Sequence, residues 1–270
     1  MLITKANGEK VEFNKLEYQA SLQRVGLSVS EAREICNQVC QDSYPEVSSK
    51  NIYLKTQKLL KQKNNTLSAR YSLKTAIMNL GPTGFFFERY MAAVLNAYGY
   101  KTKYDQILKG KCVQHEVDIV AEKDGKKFMI ECKYHNQHGL RSDLHVALYT
   151  YARFLDLKEK HNFTEPVLIT NTLCTSQAIS YADCVGLKII GWHHPLGQES
   201  LEYYIESKKL YPVTVLTNMN NSLNEKCRQE NLVLIQDLLK FTPSALAKKL
   251  LIKEGLANNL INQAQALLVF

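Results

Sequence analysis

Residues 115–120 read HEVDIV, and residues 128–133 read FMIECK after a short turn at residues 123–125. Both runs contain alternating apolar side chains over the length of a strand, which predicts two neighbouring β-strands. The Lys-Asp-Gly turn predicts that the two strands form a hairpin. The hairpin places Asp118 on the strand next to Glu131, where the two carboxylates can meet across the ladder.

The faces of the second strand follow from the two-residue period of extended backbone. Glu131 and Lys133 share one face, and the apolar side chains of the same strand are expected on the core face. Two carboxylates side by side repel each other unless a positive charge lies between them. Either Lys133 or a Mg²⁺ ion would supply that charge. The core-facing residues are Phe128, Ile130 and Cys132.

This combination of residues suits the hydrolysis of a phosphodiester bond. Carboxylate oxygens are the hard ligands that Mg²⁺ prefers, and they leave positions for water and for a phosphate oxygen. Lys133 is placed to orient or deprotonate the water and to offset the charge that grows on phosphorus. Glu88 adds a carboxylate on the preceding helix. The alternative is a cross-strand salt bridge on a solvated sheet face. That role is the commoner one for a single Glu-x-Lys pattern.

The surrounding sequence predicts an α/β domain over residues 83–195. Helices and strands alternate in it, which indicates a mixed central sheet flanked by helices. The expected helices cover residues 84–98, 143–158 and 175–184. The expected strands cover residues 100–108, 112–122, 126–134, 166–170 and 187–191.

At the two ends of the chain the apolar residues recur at helical spacing. Residues 1–82 predict a small helical domain behind a hairpin centred on Asn7-Gly8, interrupted by a turn-rich stretch at residues 42–49. Gly81-Pro82-Thr83-Gly84 marks the first domain boundary. Residues 196–270 predict a helical tail with short helices at 232–239, 243–251 and 256–268.

Composition excludes several classes of protein. With 270 residues, 45% hydrophobic and 22% charged, the chain is neither disordered nor collagen-like. It has no signal peptide and no apolar run long enough to cross a bilayer, so we expect a cytoplasmic protein with no membrane partner. The seven cysteines are scattered and odd in number, which indicates free thiols and no disulfide. The formal net charge of +8 permits a polyanionic partner.

The central domain resembles a known family. Asp118, followed after twelve residues by Glu131-Cys132-Lys133, looks like the PD-(D/E)XK nuclease signature. The stretch from Gly84 to Tyr100, with its GFFFERY start, and the ECKYHN segment at residues 131–136 are similar to the Mrr-like restriction endonuclease domain. The resemblance covers about 110 residues. It implies a restriction-endonuclease-like fold and double-stranded DNA as the substrate.

The same resemblance implies the roles of the site residues. Asp118, Glu131 and the backbone carbonyl of Cys132 would hold Mg²⁺ or Mn²⁺. Lys133 would be the catalytic lysine, and Glu88 would be the helix carboxylate beside the site.

The N-terminal residues resemble an ATP-cone, a regulatory nucleotide-binding module. The resemblance implies ATP or dATP as a regulator, with Lys5 among the binding residues. The family usually has Arg, Asp and Lys where this sequence has Ala6, Asn7 and Glu17, so we predict the ATP-cone fold with weakened nucleotide affinity. The matching segments are residues 3–8, 12–14, 21–26 and 69–71.

The tail looks like a helix-hairpin-helix around residues 250–256, a motif that binds the DNA backbone without sequence preference. Amides at a helix N-terminus can hold a phosphate, with lysines nearby to assist. The alternative is a packing domain whose lysines are merely solvated. The lysines concerned are Lys248, Lys249 and Lys253.

Together these features predict a Mg²⁺-dependent DNA endonuclease with a nucleotide-responsive N-terminal domain, which would be able to act as a homo-oligomer. Two alternatives stay open. One is a catalytically silent DNA-binding regulatory protein with a nucleotide-sensing module. The other is an RNA-processing nuclease, which would share all the catalytic residues.

Overall fold

The computed structural model of the protein describes residues 1–6, 8–41 and 46–269. Asn7, the centre of the predicted hairpin, and residues 42–45 of the predicted turn-rich stretch lie outside these ranges. The last residue, Phe270, also lies outside them.

The N-terminal part is a small three-stranded sheet with helices. Strand β1 (Leu2–Thr4) pairs antiparallel with β2 (Lys10–Glu12) and parallel with β3 (Glu46–Ser48). The third strand was not predicted, because only one of its three residues is apolar and turn-forming residues surround it. The helices are α1 (Lys15–Arg24), α2 (Val29–Gln41), α3 (Ser49–Lys63), α4 (Asn65–Tyr71) and α5 (Leu73–Met78).

The central part is a five-stranded mixed sheet in the order β10-β8-β6-β5-β4. Its main elements lie within three residues of the predicted ones. The strands are β4 (Lys101–Lys109), β5 (Gln114–Lys123), β6 (Lys126–Lys133), β8 (Glu165–Thr170) and β10 (Lys188–Ile190). The helices are α6 (Phe85–Ala97), α7 (Leu144–His161) and α8 (Ser176–Val185). A separate parallel pair joins β7 (Arg141–Ser142) to β9 (Leu173–Cys174).

The hairpin between β5 and β6 sets the register of the sheet. Asp124 and Gly125 have φ angles of 50° and 76°, the left-handed conformation that a tight two-residue turn requires. Pairing then runs from Lys123 with Lys126 to Ile119 with Ile130.

Helices cover both faces of the sheet. Ile130 packs in the same core as Phe87 of α6, whereas Met129 packs on the opposite face against Phe154 and Leu157 of α7. The predicted apolar face of β6 is therefore confirmed, with Ile130 and Cys132 buried. The alternation alone did not reveal that α7 packs on Met129 and contacts Glu131 on the opposite face, where Lys133 stays exposed.

The C-terminal part packs against the central domain. Its elements are α9 (Leu201–Ser207), a 3₁₀ turn (Val213–Val215), α10 (Asn221–Gln229), α11 (Ile235–Leu238), α12 (Pro243–Leu250) and α13 (Glu254–Val269). Helices α9 and α10 were not predicted. The apolar residues of the tail share one core with α5 and α6.

The N-terminal hydrophobic core meets the next core within α4, between Leu67 and Ala69. Leu67 closes the core of the N-terminal part, and Ala69 belongs to the core shared by the central and C-terminal parts. The segment between α5 and α6 is fastened to the tail, because Asn224 Nδ2 donates to the Asn79 carbonyl at 2.9 Å. Arg228 also donates to the Leu80 carbonyl at 3.1 Å. The predicted boundary at residue 82 stays a proposal, and residues 69–80 pack with the central part.

All seven cysteines are free thiols. Among residues 1–6, 8–41 and 46–269, no helix is long and apolar enough to cross a membrane.

Tyr90 ties helix α6 to the tail, since its fully buried hydroxyl donates to the Leu210 carbonyl at 2.8 Å. Substitution Tyr90→Phe removes this donor inside the core, so we expect the free energy of unfolding to fall by about 1–3 kcal/mol. Chemical denaturation followed by circular dichroism measures the change. The control Tyr203→Phe alters a side chain that is 38% exposed and should shift stability by less than about 0.5 kcal/mol. Equal effects of the two variants would contradict the role of Tyr90.

Candidate active site

The candidate site begins where the β5–β6 ladder ends. The last pair in the hairpin register is Ile119 with Ile130, and beyond it the Cys132 amide donates to Oδ2 of Asp118 at 2.7 Å. A side-chain oxygen therefore satisfies a backbone donor at the end of the ladder. This bond fixes Asp118 beside the segment that carries Glu131 and Lys133.

Backbone distortion in β5 and β4 accompanies this arrangement. Asp105, which lies in β4 between the partners of Ile119 and Val117, has a left-handed φ of 57°. Val117 and Val120 pack in the same cluster although they are three residues apart, so the alternation of the strand is broken between them. Asp118 lies within this break.

Glu131 is largely buried and accepts a hydrogen bond on Oε2 from NH1 of Arg153, on α7. Burial and, next, the charge of Asp118 raise the pKa of Glu131 to about 7, although Arg153 and Lys133 oppose the rise. Burial also raises the pKa of Asp118, against the Cys132 amide and the charge of Arg153. The two carboxylates and the two cations thus act on one another at close range.

Lys133 is the last residue of β6 and is exposed. Its backbone pairs with Thr170 of β8, which holds the end of the strand in the sheet. Burial lowers the pKa of His135, and the charge of Lys133 lowers it further. The charge of Lys133 therefore acts on both Glu131 and His135.

Glu88 of α6 completes a group of carboxylates. Burial and, to a smaller extent, the charges of neighbouring carboxylates raise its pKa to about 7. We call this group the acidic cluster: Glu88, Asp105, Glu116, Asp118 and Glu131. The predicted residues Glu88, Asp118, Glu131 and Lys133 thus influence one another in a single region.

The donor set suits a divalent cation. Asp118 and Glu131 present hard carboxylate oxygens, and burial with mutual repulsion disfavours their charged forms until a cation offsets them. In the part of the chain that the structure describes, no group of three or more His, Cys, Asp or Glu side chains is suited to hold a metal. A metal would therefore depend on these two carboxylates with a backbone carbonyl, such as that of Cys132, and water.

The central and C-terminal parts of the chain are similar to known proteins. Residues 81–195 match the family model described as restriction endonuclease, of the Mrr catalytic type, and residues 211–268 match the model described as AF1548-like, C-terminal. An uncharacterized protein of Archaeoglobus fulgidus is 46% identical over 149 residues, which are 55% of this chain and 83% of that protein. A crystal structure of a protein of unknown function, AF1548, is 37% identical with a TM-score of 0.61. The match covers 69% of this chain and 99% of the AF1548 chain.

The chain belongs to the AF1548-like family. Its central part is a restriction endonuclease domain with a mixed α/β fold, as predicted. The ATP-cone fold of the N-terminal part stays a prediction.

Sequence reasoning missed Arg153 in this AF1548-like protein. The buried stripe of α7 consists of Ala147, Thr150, Arg153, Phe154 and Leu157. Arginine is almost never buried unless it is paired, so an arginine in an otherwise weakly polar stripe indicates a buried carboxylate opposite. That signal was present in the sequence, although it does not say which carboxylate is the partner.

The other predicted binding residues lie outside the acidic cluster. Lys5 is exposed and pairs with Glu9 at 3.1 Å. Lys249 of α12 pairs with the Glu230 carboxylate. Lys248 and Lys253 flank the α12–α13 connection and are exposed.

The raised pKa of Glu88 predicts a pH-dependent contribution to stability. Because the pKa rises from 4.5 to about 7, the folded protein keeps a proton that the unfolded chain releases between these values. The contribution is complete below pH 4.5 and is lost as the pH rises through 7. Substitution Glu88→Gln removes this contribution. As the pH rises over this range, the free energy of unfolding of the variant should fall by about 1 kcal/mol less than that of the wild type, after allowance for solvent screening.

Denaturation midpoints measured from pH 5 to pH 8 test this expectation. The exposed Glu159→Gln serves as a control and should follow the wild type. Parallel pH profiles for Glu88→Gln and the wild type would show that Glu88 titrates normally.

Proposed function

We propose that this AF1548-like protein is a DNA endonuclease that uses Mg²⁺, or Mn²⁺, to hydrolyse phosphodiester bonds. The observation that carries the proposal is the pair of buried carboxylates, Asp118 and Glu131, beside the exposed ammonium of Lys133 in a restriction endonuclease domain. Asp118, Glu131 and the Cys132 carbonyl would hold the cation. Double-stranded DNA is the proposed substrate.

Each of the proposed site residues has a distinct part in the reaction. When bound, Mg²⁺ would polarise the phosphate and lower the pKa of a water molecule. Lys133, at the open end of β6, would orient or deprotonate the attacking water and stabilise the charge that develops on the phosphate. Glu88, with its pKa near 7, would hold or accept a proton beside the water.

The C-terminal tail is proposed to bind the DNA backbone. Lys248 and Lys253 are exposed at the connection between α12 and α13, and they would contact phosphates near the N-terminus of α13. Lys249 pairs with Glu230 and would contribute less, because its charge is already partly neutralised. The proposed division is an N-terminal regulatory domain at residues 1–82, a nuclease domain at 83–195 and a DNA-binding tail at 196–270.

Regulation by ATP or dATP at the N-terminal domain is a further part of the proposal. Lys5 is the candidate contact for the phosphates, and a triphosphate would have to compete with Glu9 for its ammonium. Plasmid cleavage measured with and without ATP tests this part independently of the catalytic residues.

Substitutions in the catalytic group are expected to abolish cleavage without releasing DNA. Lys133→Ala and Lys133→Arg should each reduce nicking of supercoiled plasmid by at least ~100-fold, since the guanidinium cannot act as a base and delivers its donors differently. Asp118→Asn and Glu131→Gln should do the same. DNA affinity, measured by fluorescence anisotropy, should change little.

Lys126→Ala is the matched control, because Lys126 lies at the opposite end of β6 and pairs with Glu165. It should cleave as the wild type does. Normal cleavage by Lys133→Arg would mean that Lys133 supplies charge alone. Wild-type cleavage by Lys133→Ala would remove it from the mechanism, and cleavage of RNA but not of DNA would favour the RNA-processing alternative. Tight DNA binding with no Mg²⁺- or Mn²⁺-dependent nicking by the wild type would favour a silent regulatory protein.

The tail lysines predict a salt-dependent effect on DNA binding. The double substitution Lys248→Ala/Lys253→Ala should reduce the slope of log affinity against log salt concentration by roughly 1 per lysine, because each lost phosphate contact releases one fewer counterion. Anisotropy titrations over a range of salt concentrations measure the slope. Lys240→Ala, in the same tail but paired with Asp237, is the control. An unchanged slope would show that the tail is a packing domain.

A further inference from the structure

Arg153 is the one residue of the buried α7 stripe that carries a charge, and it is 8% exposed. Its NH1 group donates to Oε2 of Glu131, and its NH2 group donates to the Tyr149 hydroxyl at 2.8 Å. The guanidinium carbon lies 4.6 Å from the centre of the Tyr149 ring. The Nε atom is buried and has no hydrogen-bond partner among the residues that the structure describes.

These contacts are not those of a side chain selected for packing alone. Burying a guanidinium with an unpaired Nε costs stability, and an apolar side chain would fill the same place on α7 without that cost. The compensation comes from the carboxylates, since Arg153 bonds to Glu131 directly and interacts with the charge of Asp118. Arg153 is therefore a counter-ion of the proposed metal ligands.

The charges around the proposed metal position have a direct consequence. Arg153 and Lys133 offset part of the negative charge of Asp118 and Glu131, to which Glu88 and Glu116 also contribute. A divalent cation that approaches these two ligands therefore meets two fixed positive charges beside the carboxylates. Repulsion between a cation and a fixed charge a few ångströms away amounts to a tenfold change in affinity or more.

We propose that Arg153 weakens metal binding by the free protein and thereby makes metal binding depend on DNA. This inference rests on the proposed function and adds a mode of regulation to it. The phosphates of bound DNA bring the negative charge that Arg153 has neutralised, so the metal binds tightly only together with the substrate. Arg153 acts through Glu131 and is a positioning and charge-setting residue.

A different role for Arg153 makes the opposite prediction. If the guanidinium only fixed Glu131 so that its second oxygen faced the metal, removing Arg153 would weaken metal binding. If it served only to pack α7, removal would lower stability and leave metal affinity unchanged. The sign of the change in metal affinity therefore separates the three roles.

The test measures Mn²⁺ binding to the full chain by electron paramagnetic resonance, a readout independent of cleavage. Arg153→Gln removes the charge and keeps an amide donor, and Arg153→Lys keeps the charge. We expect Arg153→Gln to bind Mn²⁺ at least ~10-fold more tightly than the wild type, and Arg153→Lys to bind within about 3-fold of it. Unchanged or weaker binding by Arg153→Gln overturns the inference.

A second measurement uses the wild type alone and keeps the inference falsifiable if Arg153→Gln does not fold. A short DNA duplex should tighten Mn²⁺ binding by the wild type at least ~10-fold. No tightening overturns the inference. Asp118→Asn separates failure of this inference from failure of the proposed function. If Asp118→Asn binds Mn²⁺ as tightly as the wild type does, the proposed metal site itself is refuted.

Discussion

The hydrogen bond from the Cys132 amide to the Asp118 carboxylate is the contact on which the site depends. It forms where the β5–β6 ladder stops, so a side chain takes over from the backbone as the hydrogen-bond acceptor. The exchange keeps the strands together and leaves one largely buried carboxylate on each. Neither group would be tolerated in the middle of a sheet covered on both faces, because a buried charge requires a partner. The end of the ladder is therefore the place where this fold accommodates an acidic pair.

The same pair explains the unusual composition of the facing helix. Helix α7 buries Phe154 and Leu157 against the sheet, and Arg153, the residue before Phe154, donates to Glu131. The guanidinium satisfies a carboxylate that the sheet alone would leave unpaired. One contact thus bears on both stability and the proposed chemistry, because Arg153 pairs with the carboxylate that would also accept the metal.

Much of the central domain could be predicted from the sequence because its signals are local. Strand alternation, helical periodicity and the turn at Asp124-Gly125 each act over a few residues, and the turn alone places Asp118 opposite Glu131. The remaining features depend on contacts between distant segments. The position of α7 over Met129, the pairing of Arg153, and the attachment of residues 69–80 to the tail core have no short-range signature. The weakest strand, β3, is stabilised by its pairing with β1, and its own three residues hardly indicate it.

Strand β4 forms one edge of the five-stranded sheet, and an open edge invites other chains to add strands. The left-handed Asp105 interrupts the regular backbone near the middle of this edge. Lysines at positions 101, 103 and 109 add charge along it. An approaching strand would find neither a straight row of amides nor a neutral surface. The distortion that accompanies the acidic site therefore also protects the protein against edge-to-edge aggregation when it is concentrated.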